Sequence, residues 1–308
     1  MNFSFIHLIF IFLFFHLIHS QDDKRPFIIG VFTQPTSSGD ESFVPWSYIN
    51  FIQASGGRAL PIHFNASHEE ILDIMKSIDG ILFTGGSQDF FPFNSTWIEA
   101  AKLIYNNAIQ LNDNNHPFLL WGTCMGFELL LCLTNNDPST ITNGFDSVNV
   151  NLELIFTQFA RDSNLYSKVP DTLFYNLTRF NLTYNDHHWG ITPDRFNSLS
   201  NLYDFYNILS TTKDINGRSF VSSIEAKKYP FFGVQFHPEA ALSLFCDSEN
   251  YPHSSDAKLF AYYLSEFINS NPRNSHDIDP SILFELQGSH LLWDGNIDCM
   301  FGDYYYQI

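Results

Sequence analysis

The sequence predicts an α/β protein with a doubly wound, mostly parallel central sheet and helices on both faces. Three observations carry this. Short apolar, β-branched runs alternate with helix-patterned segments from residue 27 to about residue 133. One run, Phe118-Leu119-Leu120-Trp121, breaks into Gly122-Thr123-Cys124-Met125-Gly126, a cysteine between two glycines. Another, Phe231-Phe232-Gly233-Val234-Gln235-Phe236, ends in His237 with Glu239 two residues on. A nucleophile, a base and a carboxylate to orient the base are therefore expected at strand ends, where open α/β sheets place their sites.

Residues 27–33 read as a buried first strand. A helix is expected over 46–54, stopped by Gly56-Gly57, because glycine enters the left-handed helix end at little cost. Residues 59–64 form a second strand. Ser67-x-x-Glu70 has the capping-box spacing and opens a helix through Lys76. A third strand, 80–84, ends at Gly85-Gly86, and Thr96-x-x-Glu99 opens the next helix, to about Gln110. The strand 118–121 then leads directly into a helix from Cys124 to about Leu133. Residues 140–225 break the rhythm with short strand-like runs rich in Asn and Asp, an excursion expected to carry substrate-facing loops. Residues 219–224 and 231–236 pair as a hairpin around Lys227-Lys228-Tyr229-Pro230, and 256–268 is a final amphipathic helix. The polar, then aromatic tail from Asn269 is expected to pack on the body, and no internal repeat or interdomain linker is visible.

At 308 residues and 44% hydrophobic content the chain can bury a large core. Asn2 to Ile18 is almost unbroken Phe, Ile and Leu, short for a membrane span, and Ser20 before a polar stretch suits cleavage. A signal peptide over 1–20 is therefore preferred to a retained anchor, leaving 21–308 as one catalytic domain. Secretory entry agrees with Asn-x-Ser/Thr sequons at Asn65, Asn94, Asn176 and Asn181, although so Asn-rich a chain generates sequons by chance. Of the four cysteines, Cys132 reads as a small buried residue of the helix after Cys124. Cys246 and Cys299 are able to pair in an oxidising compartment, a connectivity spacing does not decide.

The formal charge of −18 argues against nucleic acid as a partner and is compatible with an acidic compartment, where self-repulsion falls. The expected partner is a small-molecule substrate, with no stable membrane insertion after cleavage. The oligomeric state stays open, a homodimer included.

Gly122-x-Cys124-x-Gly126 has the spacing of a nucleophile elbow, a tight strand-to-helix turn that needs small flanking residues. At a helix N-terminus the dipole and a nearby imidazolium favour thiolate over thiol. His237 ends a buried strand, Pro238 stops the ladder, and Glu239 can reach back to fix the imidazole tautomer. Amides of the Gly85-Gly86-Ser87 turn, with that of Met125, are placed to form an oxyanion hole.

These residues resemble the class I glutamine amidotransferase fold and, within it, the gamma-glutamyl hydrolases. The resemblance runs from Pro26 to about Phe267 and is most specific over 80–87, 121–128 and 228–239. It implies Cys124 as nucleophile, His237 as its partner, Glu239 in support, and Gly86 and Met125 as backbone oxyanion donors. Asn185-Asp186-His187-His188-Trp189 resembles the family's substrate-side loop, which implies His187, rather than His188, beside the substrate. Met125 stands where leucine is usual and Phe236 where tryptophan is common. The implied substrates are poly-γ-glutamylated folates and related γ-glutamyl peptides, cleaved without metal or organic cofactor. Their polyanionic tails require a local cationic patch, for which Arg25, Lys102, Arg179, Arg195 and protonated histidines are the candidates. Two rivals keep the same elbow: the glutaminase half of a synthase, and a non-catalytic glycoprotein on the same fold.

Overall fold

The computed structural model describes residues 26–36, 41–271, 292–293 and 303–307, the last two segments as backbone only. The expected leader over 1–20, together with Arg25 and Cys299, lies outside the described residues. Chain order begins with β1 (Ile28–Phe32), short β2 (Gln34–Pro35), β3 (Glu41–Pro45), α1 (Trp46–Gln53) and β4 (Arg58–Ile62). It continues with α2 (His68–Ser77), β5 (Gly80–Phe83), α3 (Thr96–Asp113), β6 (Leu119–Thr123) and α4 (Met125–Asn135). Next come β7 (Thr142–Leu152), β8 (Ile155–Phe156), α5 (Asp171–Leu177), β9 (Thr183–Gly190), α6 (Pro193–Ser198) and α7 (Ser200–Phe205). The last elements are β10 (Tyr206–Lys213), β11 (Ser219–Ala226), β12 (Phe231–Val234), α8 (Ala240–Ser243), α9 (Ser255–Asn269), β13 (Leu292–Trp293) and β14 (Asp303–Gln307).

The main sheet has eight strands in the order β4-β1-β5-β6-β12-β11-β10-β8. From β4 to β12 the pairs are parallel, and the expected hairpin appears as β12 against β11, antiparallel, with β10 and β8 extending that edge. Strand periodicity divides the core into two layers. Ile28 and Phe32 of β1 face one, with α2, α3 and α4, whereas Ile29 and Val31 face the other, with α1, α5 and α9. That is the doubly wound arrangement the alternation predicts. Each fully buried Leu, Ile or Phe contributes about 1.5–3 kcal/mol, so the paired layers supply the dominant stabilisation.

Side-chain caps set several of the helix starts. Ser67 caps α2 by accepting from the Glu70 N–H at 3.2 Å. The cap of α3 is Ser95 rather than the expected Thr96: the Ser95 hydroxyl accepts from Ile98 N, one residue earlier than the box spacing suggested. Two neighbouring hydroxyls compete for one cap, and the one with extended backbone takes it. The excursion at 140–225 builds a separate antiparallel ribbon of β7 and β9. The His237 N–H donates to Tyr184 O, tying that ribbon to the sheet's carboxyl edge. In the tail, β14 pairs antiparallel with β3, so that part of it does dock on the body.

Register sets the site. Phe83 and Gly122 are partners, as are Thr123 and Val234. The ends of β5, β6 and β12 are therefore level, and Gly85, Cys124 and His237 emerge at one edge.

Candidate active site

Cys124 sits between β6 and α4 with φ 50° and ψ −110°, a left-handed backbone that an L-residue adopts only when its surroundings impose it. Both flanking glycines are required by close approach. A Cβ on Gly122 would meet Gly126 O at 2.5 Å, and one on Gly126 would overlap Phe83 O of β5. The Cys124 N–H donates to Val234 O at 2.8 Å and Glu128 N–H returns to Cys124 O, so strand and helix clamp the turn. The side chain is buried yet lines a cleft.

His237 Nδ1–H donates to Glu239 Oε1 at 2.7 Å, and Glu239 is only 2% exposed. This bond fixes the tautomer and leaves Nε2 for Cys124. Nε2 is buried without a close hydrogen bond, while the ring couples to the sulfur through charge; catalytic hydrogen bonds tighten as a reacting group arrives. Enclosure works against the His237 cation, but Cys124 and Glu239 outweigh it and hold the imidazole well above its usual range. Burial pushes the Cys124 thiol up and the His237 charge opposes that. The pair therefore favours a protonated imidazole beside the sulfur.

The sequence did not single out Tyr48, yet its hydroxyl accepts from the Gly85 N–H at 2.8 Å and lies 3.3 Å from His237 Nδ1. Burial first, then the charges of Glu239 and Cys124, push its phenol well above the usual value. Gly85 is the crossing point of the site. A Cβ there would overlap Tyr48 Oη and stand 2.7 Å from His237 Cε1 and 3.3 Å from Cys124 Cβ. Gln34 braces this turn, donating from Nε2 to Thr84 Oγ1 at 2.8 Å and to Gly85 O at 2.7 Å. Gly86 and Met125 line the cleft with Cys124. Met125 opens α4, so its N–H belongs to the first turn, whose donors have no partner within the helix.

The cleft has a volume of about 560 Å³, and its lining includes Phe90, Phe91 and Asp186, His187, His188 and Trp189 of β9. His187 is 6% exposed, and its Nδ1–H donates to Trp189 O at 2.7 Å. Its Nε2 is buried without a partner, and burial lowers its pKa to about 4, so it is a neutral acceptor. His188 is exposed, lines the same cleft and bonds Phe145 O at 3.1 Å, so both histidines face it.

Of the candidates for a cationic patch, the histidines His187 and His188 line the cleft, and among the described residues its lining carries carboxylates but neither lysine nor arginine. Lys102 is held by Glu99 and Phe93 O. Arg179 lies over the Tyr175 ring, and Arg195 is spent on the carbonyls of Ser139 and Thr140. Three sequon residues, Asn65, Asn94 and Asn181, are exposed. Asn176 is half-buried, and its Nδ2, the atom that would carry sugar, donates to Asp256 Oδ2 at 2.8 Å. Cys132 is a buried free thiol in α4, and Cys246 is disulfide-bonded.

Glu128 and Gln235 also escaped sequence reasoning. Glu128 lies one helical turn after Cys124 and lines the cleft, its Oε1 accepting from Gln235 Nε2 at 2.9 Å. Burial pushes its carboxyl up to about 7, against the Gln235 hydrogen bond.

Several known proteins are similar to this chain. Residues 50–247 match the family model of glutamine amidotransferase class-I. Gamma-glutamyl hydrolase B of Dictyostelium discoideum is 32% identical over 265 residues, 84% of this chain and 76% of that protein. Gamma-glutamyl hydrolase of Homo sapiens is 33% identical over 265 residues, 84% of this chain and 81% of that protein. Among solved structures, a glutamine amidotransferase from Thermotoga maritima superposes with a TM-score of 0.43 at 11% identity, over 70% of this chain and 77% of that one.

Proposed function

The chain belongs to the class-I glutamine amidotransferase family and, within it, to the gamma-glutamyl hydrolases, and from that premise we propose that Cys124, His237 and Glu239 hydrolyse γ-glutamyl amide bonds. Poly-γ-glutamylated folates and related γ-glutamyl peptides are the substrates in this reading. The observation that carries it is the level placement of Cys124 and the His237–Glu239 pair at one sheet edge, opening on the cleft.

The Cys124 thiolate attacks the γ-carbonyl carbon. Negative charge moves to the carbonyl oxygen, where the Gly86 and Met125 amides stabilise it. Collapse of this adduct breaks the C–N bond, and the His237 imidazolium gives its proton to the departing amine. A thioester remains. Neutral His237 then takes a proton from water as its oxygen attacks the thioester carbon, and cleavage of the C–S bond returns thiolate and releases the γ-carboxylic acid. Glu239 holds the imidazole in the tautomer both steps need. His187, neutral and aimed from β9, offers an acceptor to the substrate.

An acidic lumen suits this cleft. Without a fixed cation in its lining, it admits polycarboxylate substrates best where protonation lowers its negative charge. Among the described residues no helix is long and apolar enough to cross a membrane. The leader over 1–20 and the exposed sequons Asn65, Asn94 and Asn181 support passage through the secretory route to a lysosomal, vacuolar or extracellular site.

The test compares two substrates. The purified protein is expected to shorten pteroyl-tri-γ-glutamate and to release no ammonia from glutamine. Ammonia release without chain shortening would replace this reading with that of a glutaminase. Inertness toward both would leave a non-catalytic protein.

A further inference from the structure

Gln235 reaches the nucleophile through an amide that nothing in the mechanism above uses. It follows β12, level with Cys124 through the Thr123–Val234 register, and its N–H donates to Ser222 O at 2.9 Å. Its side chain is fully buried. Nε2 lies 2.9 Å from Glu128 Oε1 and 3.9 Å from Cys124 Sγ, so its two N–H bonds have two acceptors. Oε1 is buried without a partner. A buried acceptor left unbonded signals that the opposite face of the amide is under constraint.

The direction of the amide matters because its two ends act oppositely on sulfur. Besides His237, a second polar contact of Sγ is Asp186 O at 4.0 Å, an acceptor that can only partner a thiol. The Gln235 N–H can only donate, so it favours the thiolate. Rotating the amide by half a turn would set Oε1 against both Glu128 and the sulfur. Ionised Glu128 excludes that because it can only accept, and neutral Glu128 still accepts the N–H through its carbonyl oxygen while the thiolate, also acceptor-only, takes the other N–H.

We propose that Gln235 is a positioning residue for the Cys124 thiolate, with its amide locked by Glu128 so that an N–H faces the sulfur. The role rests on Cys124 being the nucleophile but not on which amide it attacks. Other titratable groups around the sulfur are His237 and Glu239 after β12, Tyr48 of α1, and Asp186 and His187 of β9, and all stay in place in the variants below.

The experiment follows alkylation of Cys124 by iodoacetamide in the full chain from about pH 5 to about pH 8, read by peptide mass spectrometry. Steady-state kcat and KM on pteroyl-tri-γ-glutamate are measured alongside. Gln235→Met removes the donor at similar volume, and alkylation in acid is expected to slow about tenfold or more. Its kcat should fall with KM changed less than about threefold. Glu128→Met and Glu128→Gln both remove the carboxylate charge, but only glutamine keeps an acceptor for Gln235. Glu128→Gln is thus expected to alkylate at or above the wild-type rate, and Glu128→Met about tenfold more slowly than Glu128→Gln. A folded Gln235→Met protein with the wild-type alkylation profile overturns the proposal. If that variant does not fold, equal rates for Glu128→Met and Glu128→Gln overturn it instead. Alkylation needs no γ-glutamyl compound, so a wrong substrate assignment would abolish turnover while leaving this readout intact.

Discussion

Nδ1 of His237 stands 2.7 Å from Oε1 of Glu239, two residues on along the chain, with Pro238 turning the backbone between them. The pair acts as a unit, because the carboxylate both fixes the tautomer and stabilises the cation that the leaving amine needs. Glu239→Gln keeps the shape and removes the charge. It is expected to lower kcat about 10- to 100-fold while KM moves less than about threefold. Steady-state kinetics on a γ-glutamyl substrate check this; an unchanged kcat would remove Glu239 from the site.

Gly85 gives a sterically sharp prediction. A methyl group there would overlap Tyr48 Oη and crowd His237 Cε1 at 2.7 Å, so Gly85→Ala must displace one or both. A 1 Å misplacement costs on the order of 100-fold in rate. That loss, with the cleft otherwise intact in a crystal structure, is the expected result.

Tyr48→Phe deletes a hydroxyl that accepts from the Gly85 N–H at 2.8 Å. The N–H is left buried and unbonded, which costs about 1–3 kcal/mol. Denaturant unfolding reads that loss. The same variant loosens the Gly85 turn beside His237, so kcat should fall about tenfold.

Cys124→Ala keeps the Cβ and hence the positive-φ backbone of the elbow, so its strain is unchanged. Stability should stay within about 1 kcal/mol of wild type. Turnover of γ-glutamyl substrate should vanish, and activity near the wild-type level would sink the nucleophile assignment.

The parts of the site legible in the sequence are those where one residue type does one job at a strand end. Gly122, Cys124 and Gly126 announce a turn because only glycine allows the crossings by Gly126 O and Phe83 O. His237 and Glu239 announce a base pair because they follow a buried run directly. Tyr48 was illegible, since an aromatic residue in an amphipathic helix looks like core and is core on every side but its hydroxyl. Gln235 and Glu128 were hidden for a related reason. Their partnership spans 107 residues and depends on the β6–β12 register, which pattern reading does not supply. Charge counting could not choose among the cationic candidates, because it does not see that Arg195 and Lys102 are already bound to carbonyls whereas His187 and His188 line the cleft.

Glu128 makes stability depend on pH in a direction opposite to most carboxylates. Its folded pKa is about 7 against an ordinary 4.5, raised chiefly by burial. Between those values the unfolded chain releases a proton that the folded chain keeps, so stability falls as pH rises through the window. The contribution is fully present below 4.5 and lost above about 7. A difference of that size corresponds to about 3 kcal/mol. His187 runs the other way, since burial lowers its pKa to about 4 and stability is lost as pH falls toward it. The two slopes oppose each other over most of the same window in the wild type. Glu128→Gln separates them, because it removes the alkaline penalty and leaves the histidine's. Relative to wild type, that variant should gain about 3 kcal/mol between about pH 4 and about pH 8, measured by urea unfolding at matched ionic strength. A difference that stays flat across that range would mean that the Glu128 carboxyl does not titrate as a buried acid.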